Sequence, residues 1–307
     1  MKFKKDFLER MEKLLGNEIN EWKSCLEKPI PKTIRVNTIK ISKENLKKRL
    51  ERKWKVKEIK GFEQALIIKE HLPGELGNSI EHKLGYFYVQ TLSSMMPPLA
   101  LEPKEKELVL DLCAAPGAKT TQIAAMMNNK GTIIANEPKF KRIKALVSNL
   151  ERCGVTNTIV TKMDGVKLVK KIRKKIRFDK ILVDVPCSAT GSREGSAFKM
   201  WNLNMIKGLS SLQKKLASVA LSCLKENGIL VYSTCSLEPE ENEAVIDFLV
   251  KNFDVRIEEF KLPIKSRKAI TEWQSMKFDK TVRKCKRIYQ HDNDSEGFFI
   301  ARLRKIK

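Results

Sequence analysis

Two cysteines stand in contexts that could do chemistry: Cys187 in Asp184-Val185-Pro186-Cys187-Ser188 and Cys235 in Ser233-Thr234-Cys235-Ser236-Leu237. Each closes a run of β-forming residues, and a thiolate is the strongest nucleophile that a neutral protein offers. A cysteine just beyond the carboxyl end of a parallel strand lies where open α/β sheets bind their ligands. Two such thiols imply covalent chemistry with divided roles. An unperturbed thiol is mostly protonated at neutral pH, so the nucleophile needs a cation, helix terminus or base beside it, and Lys119 is a candidate for the cation.

The elements that must position these thiols follow from the pattern around them. Leu108-Val109-Leu110-Asp111-Leu112 reads as a strand running into the small-residue loop Cys113-Ala114-Ala115-Pro116-Gly117-Ala118-Lys119-Thr120 and then a helix. Small side chains let the backbone approach a ligand closely, and the helix start offers unpaired N–H groups to a carboxylate. Glu137 closes the next strand twenty positions after Gly117, where an acid can take ribose hydroxyls. Asp164 follows the third strand, where a carboxylate can accept from an adenine amino group, and Asp184 ends the fourth. For any one of these acids, capping of the following turn is the competing reading. The chain has neither Gly-x-x-x-x-Gly-Lys-Ser/Thr nor Gly-x-Gly-x-x-Gly, which argues against a P-loop and against a dinucleotide. S-adenosylmethionine fits, with its ribose on Glu137, its adenine on Asp164 and its amino-acid end at the helix start.

Strands and helices alternate from Gln90 onward, with further strands expected at 132–135, 158–160, 180–184, 228–233 and 298–303 and helices at 205–224 and 240–250. Alternation of this kind predicts a parallel, doubly wound α/β sheet. Before it, Phe7, Met11, Leu14, Leu15, Ile19, Trp22 and Leu26 recur at helical spacing, strands are expected at 33–39 and 65–68, and Ser42 can cap a helix reaching Leu50. We therefore expect a small α+β domain over residues 1–88 and a large α/β domain over residues 89–307.

With 61 Lys+Arg against 37 Asp+Glu, the formal charge is +24, which points to a polyanion such as RNA as partner. Seven cysteines without a Cys-x-x-Cys pair indicate a reducing compartment, so a cytoplasmic location is expected. Three scattered histidines argue against a metal site. The uncharged stretch 84–101 is interrupted by Gly85, Gln90, Pro97 and Pro98, so a membrane span is not expected.

Taken together, the blocks Arg35-Val36-Asn37, Gln90 with Ser93-Ser94-Met95, 111–121, 184–188, 233–237 with Glu240-Glu241-Asn242-Glu243, and Gly297-Phe298-Phe299-Ile300-Ala301 resemble the RNA cytosine-5 methyltransferases of the Nop2/Sun group. The resemblance covers most of the chain. It implies a Rossmann-like S-adenosylmethionine-dependent methyltransferase sheet with a small α+β RNA-binding domain before it. Cys235 would then be the nucleophile and Cys187 would assist product release, while the chemistry of the addition makes Asp184, at its strand end, the candidate to hydrogen-bond the base at N3. The cofactor would lie on Cys113, Ala114, Ala115, Pro116, Gly117, Ala118, Lys119, Glu137, Arg142, Asp164 and Asp184.

Addition of the Cys235 thiolate at C6 of a cytosine would enrich C5, which is otherwise a poor nucleophile toward a methyl sulfonium. The expected substrate is RNA, a tRNA foremost and an rRNA as the alternative, handled by a monomer without metal. Arg35 and Asn37 are expected to hold RNA, with 277–287 forming another wall of the groove and Phe198, Trp201 and Trp273 as stacking candidates. Competing readings are methylation at cytosine N4 and a noncatalytic RNA-binding protein on the same fold. Many members of the group carry Gly where this chain has Ala118 and Ala189; the second departure bears on the loop that carries Cys187.

Overall fold

The computed structural model describes residues 3–69, 74–193 and 195–307. Near the amino terminus, four antiparallel strands pair in the order Lys55–Ile59, Phe62–Lys69, Lys32–Val36, Phe87–Val89. Ser42 caps helix Lys43–Leu50 by accepting from the Asn45 N–H at 3.3 Å. That helix lays Leu46 and Leu50 onto Ile34, Val36, Leu66 and Ile68 of the sheet.

The opening helical pattern is broken in two. Lys5–Leu15 and Ile19–Glu27 flank a tight turn at Gly16–Glu18, and Gly16 takes a φ of 56° that favours glycine. Both halves leave the small sheet. Phe7, Met11, Trp22 and Leu26 pack instead with Phe198, Trp201, Ile206, Leu237 and Tyr289 of the large unit. Arg10 fixes this docking: its Nη2 donates to Glu238 at 2.7 Å and to Glu240 at 2.7 Å, and Trp201 Nε1 donates to the other Glu238 oxygen at 2.8 Å.

The large sheet runs Arg267–Lys268, Lys286–Ile288, Phe298–Lys305, Leu224–Thr234, Phe178–Asp184, Leu108–Asp111, Thr132–Asn136, Thr158–Thr161. The last five in that order are mutually parallel, while Phe298–Lys305 lies antiparallel against Leu224–Thr234. Alternate side chains go to opposite faces of a strand. Leu110, Ile181, Val183, Leu230 and Tyr232 accordingly fill one core, while Val109, Leu182, Ile229 and Val231 fill the other.

The chain enters this sheet at its middle, winds outward to 158–161, then crosses back to Phe178–Asp184 on the other side of Leu108–Asp111. Strand ends diverge at such a switch point and leave a crevice. The register aligns Asp111 with Leu182 and Asp184 with Ser233, so the cofactor loop and both cysteine loops leave the sheet at the same edge.

Candidate active site

The loop after Asp111 turns into helix Ala118–Met126 at Gly117, whose φ is 103°. A Cβ there would lie 3.0 Å from Leu146 Cδ1, so glycine serves both the turn and the packing. Arg142 Nη2 donates to the Ala115 carbonyl at 2.6 Å and its Nη1 pairs with Glu137 at 3.0 Å, joining the loop to the end of the second strand. Glu137 is buried and also accepts from the Lys139 N–H at 2.9 Å. Asp164 is exposed and caps helix Gly165–Ile172 through Lys167 N–H at 3.0 Å, which leaves part of its carboxylate free.

Asp111 is 1 % exposed; one oxygen accepts from Thr120 Oγ1 at 2.7 Å and the other, Oδ1, has no hydrogen-bond partner among the described residues. Burial lifts its pKa from 3.8 to about 7 despite the Thr120 bond. A group whose pKa is higher in the folded state favours folding when protonated, so this stability is present at acidic pH and lost as pH rises from 3.8 toward 7. The loss amounts to about 4 kcal/mol across that window. Asp111→Asn keeps the acceptor for Thr120 and should lack this component. Thermal melts of both proteins from pH 5 to 8 check it, and parallel curves would contradict it.

At the ends of the next two strands, Lys119 Nζ donates to Asp184 at 2.7 Å, and Ser233 Oγ donates to the other Asp184 oxygen at 2.6 Å. Lys119 also lies 5.1 Å from the centre of the Phe298 ring. Burial works against its charge, but Asp184 outweighs burial and raises its pKa, with a smaller contribution from Cys235. The half-buried sulfurs of Cys187 and Cys235 lie 3.2 Å apart. The bond to the Cys235 sulfur, then burial, pushes the Cys187 thiol well above the usual thiol range.

Backbone bonds tie the two cysteine loops: Gly191 N–H donates to the Cys235 carbonyl at 2.9 Å, and Gly297 N–H to the Gly191 carbonyl at 2.7 Å. A Cβ on Gly191 would stand 2.4 Å from the Gly297 carbonyl oxygen, so no larger residue fits. Ala189, between these anchors, sits at φ 56° in the left-handed region. Ala189→Gly should relieve that strain and raise stability by about 1 kcal/mol, read as a shift of the urea midpoint. Ala118 is merely the first residue of its helix.

Several sequence expectations need correction. Arg35 and Asn37 are each only 2 % exposed, so they do not face RNA. Arg35 donates to the Ala118 carbonyl at 2.6 Å, to Thr121 Oγ1 at 2.7 Å and to Gln90 Oε1, while Asn37 donates to the Gly85 and Cys153 carbonyls. Both lock the small sheet to the large unit, and burial lowers the Arg35 pKa to about 10. Arg35→Met should weaken cofactor binding about tenfold through the freed Ala118 carbonyl. It should leave the salt dependence of RNA binding unchanged, whereas loss of a phosphate contact would flatten that slope. Phe198, Trp201 and Trp273 are core side chains, 0 %, 2 % and 5 % exposed, so they do not stack on bases. Arg287 is likewise withdrawn from the expected RNA wall by its pair with Glu243 at 2.5 Å.

Sequence reasoning quoted Glu241 only as part of a block and gave it no role. An open groove of about 930 Å³ lined by Val166, Lys170, Lys207, Phe248 and Met276 among others contains none of the candidate residues.

The profile of the 16S rRNA methyltransferase RsmB/F family matches residues 98–304, and that of the N-terminal domain of 16S rRNA methyltransferase RsmF matches residues 3–92. The chain belongs to the RsmB/F family. The resemblance to Nop2/Sun enzymes read from its motifs is borne out, as are the Rossmann-like methyltransferase fold and S-adenosylmethionine as the methyl donor.

This RsmB/F member is 41 % identical over 309 residues to the tRNA (cytosine(49)-C(5))-methyltransferase of Pyrococcus abyssi, covering 99 % of this chain and 97 % of that protein. It is 39 % identical over 311 residues to the ribosomal RNA small subunit methyltransferase F of Vibrio atlanticus, covering 98 % of this chain but only 63 % of that longer protein. A methyltransferase homolog from Pyrococcus horikoshii superposes with a TM-score of 0.88 at 36 % identity, covering 99 % of this chain and 96 % of that one. NSun6 from the same organism, solved with SFG, gives 0.88 at 27 % identity, covering 99 % of both chains.

Proposed function

We propose that this protein methylates C5 of a cytidine in tRNA, with Cys235 as the covalent nucleophile. The observation that carries the reading is the pair of thiols 3.2 Å apart beside the Lys119–Asp184 pair, at the sheet edge where the cofactor loop also ends. Near-full-length similarity to a tRNA C5 enzyme supports the substrate class.

The residues present suit S-adenosylmethionine. The loop is small-sided, Glu137 is a buried acid at the strand end, and Asp111 carries an unpartnered oxygen beneath the loop. Glu137, Asp164 and the start of helix Ala118–Met126 would hold ribose, adenine and amino-acid end. When bound, the cofactor supplies an electrophilic methyl group.

Cys235 adds to C6 of the base, and Lys119 with Asp184 supplies the polar contacts that steady the developing charge on the ring. Cys187, its thiol pKa held high, is placed to donate its S–H to the Cys235 sulfur 3.2 Å away. It stabilises that sulfur when it departs by elimination. The C5 proton leaves to a separate base. The target cytosine must lie outside a helix for both faces of C5 and C6 to be reached.

RNA carrying 5-fluorocytosine tests the chemistry. Fluorine cannot leave as a proton does, so a C5 enzyme is trapped as a methylated, denaturation-resistant adduct. An N4 enzyme or a noncatalytic RNA-binding protein gives none. Mapping methylated cytosines in cells lacking the protein separates tRNA from rRNA, the second reading favoured by the family description.

The same reading has the protein working as a monomer in the cytoplasm, which light scattering and fractionation check. Among the described residues no helix is long and apolar enough to cross a membrane. It also needs no metal: in the grouping Glu18, Glu21 and His291, the Glu18 carboxylate is already held by Arg267 and by His291 Nε2 at 2.8 Å.

A further inference from the structure

Glu241 is fully buried, six positions beyond Cys235, and takes no part in the chemistry described above. Its carboxylate accepts four hydrogen bonds. They come from Ser188 N–H at 3.0 Å, Ser188 Oγ, Ser236 Oγ at 2.8 Å and Gln213 Nε2 at 2.7 Å. Ser188 directly follows Cys187, and Ser236 directly follows Cys235. Gln213 also donates to the Pro186 carbonyl at 2.9 Å, on the other side of Cys187. One carboxylate therefore grips the residues flanking both thiols. Its own backbone is anchored by Tyr232, whose hydroxyl donates to the Glu241 carbonyl at 2.5 Å.

We propose that Glu241 is a positioning residue that sets the separation of the two sulfurs. A carboxylate has about four acceptor positions, and here all of them are used. No other acidic or amide side chain bonds to both Ser188 and Ser236 among the described residues. The Ser188 and Ser236 hydroxyls also lie 3.0 Å apart and Gln213 keeps the Pro186 carbonyl, so removing the carboxylate strands the buried Ser188 N–H and one N–H of the Gln213 amide, takes away the acceptor that both hydroxyls share, and leaves the two loops to shift until those donors find partners. Burial raises the pKa of Glu241 and its four donors oppose that rise, which accords with an acceptor role.

The role is geometric, and a conservative variant separates it from charge. In Glu241→Gln, the carboxamide oxygen can still accept from Ser188 N–H and Gln213, while its NH₂ can donate to the two hydroxyls, which rotate to accept. Glu241→Ala offers none of these contacts. The proposal rests on the methyl-transfer reading only for what the thiols do, not for where they are held, so the test has a readout besides turnover.

Diamide is the probe. The Cys187 and Cys235 thiols lose two electrons and two protons to its N=N bond, forming one S–S bond and a hydrazine. Wild-type protein should form the intramolecular disulfide rapidly, seen by mass spectrometry as the loss of two hydrogens. Glu241→Ala should oxidise at least about tenfold more slowly and methylate RNA about 10²-fold more slowly, the scale of an ångström misplacement. Glu241→Gln should stay within about threefold of wild type on both readouts, with an unchanged pH–rate profile.

An alanine variant that oxidises and methylates like wild type would overturn the proposal. So would a shifted pH profile in Glu241→Gln, which would make the role electrostatic, or loss of cofactor binding and melting temperature in both variants together, which would make it a folding role. Wild-type protein that forms the disulfide rapidly yet traps no adduct on 5-fluorocytosine RNA would refute the reaction while leaving the positioning intact.

Discussion

Cys235→Ala should cost methyl transfer about 10⁴-fold or more, the scale lost when a covalent nucleophile is removed. The variant should still bind cofactor and RNA, since Cys235 neither builds the cofactor loop nor lies among the basic residues. Cys187→Ala should behave differently. Addition at C6 and methylation at C5 need only the Cys235 sulfur, but that sulfur would then depart without the S–H held 3.2 Å away. The expected result is a stalled protein–RNA adduct on ordinary, unfluorinated RNA, visible as a slow band on a denaturing gel. An active Cys235→Ala protein, or an adduct that appears with Cys235→Ala rather than Cys187→Ala, would reverse the assignment.

The second large effect concerns Lys119→Met. Its ammonium and the Asp184 carboxylate are mostly withdrawn from water, with side-chain exposures of 12 % and 26 %. Breaking such a pair from one side leaves an uncompensated charge, and the stability loss should be about 3 kcal/mol. The methyl-transfer rate should fall about 10²-fold as Asp184 loses its orientation. Lys119 has a raised folded pKa, so its contribution is fully present below the unfolded value of 10.5 and is lost only as pH climbs through the higher folded value. The deficit of Lys119→Met in urea unfolding should therefore be equal at pH 6 and pH 8. A deficit that vanishes at pH 8 would mean that another group carries the interaction.

Much of this arrangement could be read in the chain itself. Leu108 to Leu110 and Ile181 to Val183 are short apolar runs of the kind that a buried strand carries, and the loop between Cys113 and Lys119 announces close backbone approach by composition. Both cysteines could be placed because Cys235 follows its strand directly and Cys187 comes three residues after the end of its own. Arg35 could not be placed correctly. A basic residue in a basic segment looks the same whether it faces a phosphate or a buried carbonyl, and its partners Ala118 and Thr121 lie more than eighty positions away. Glu241 was missed for a similar reason: its contact with Ser188 spans 53 positions, and nothing local distinguishes it from Glu240 beside it. The strands at 267–268 and 286–288 are two and three residues long, too short to show a period, and are placed by their antiparallel pairing to each other and to Phe298–Lys305.

The docking of Arg10 onto Glu238 has a consequence for cutting the molecule. The two family profiles invite a cut between residues 92 and 98, as though two modules were joined there. Such a cut would carry away the guanidinium and leave the Glu238 carboxylate, buried in the intact chain, with Trp201 as its remaining side-chain donor among the described residues. The same cut would bare Phe198, Trp201, Ile206 and Leu237, which the first helices cover, and Leu237 stands two residues past Cys235. The catalytic half is therefore not transplantable on its own: the seam visible in the sequence is not a seam in the folded molecule, and a fusion or miniaturised enzyme must retain the first helix.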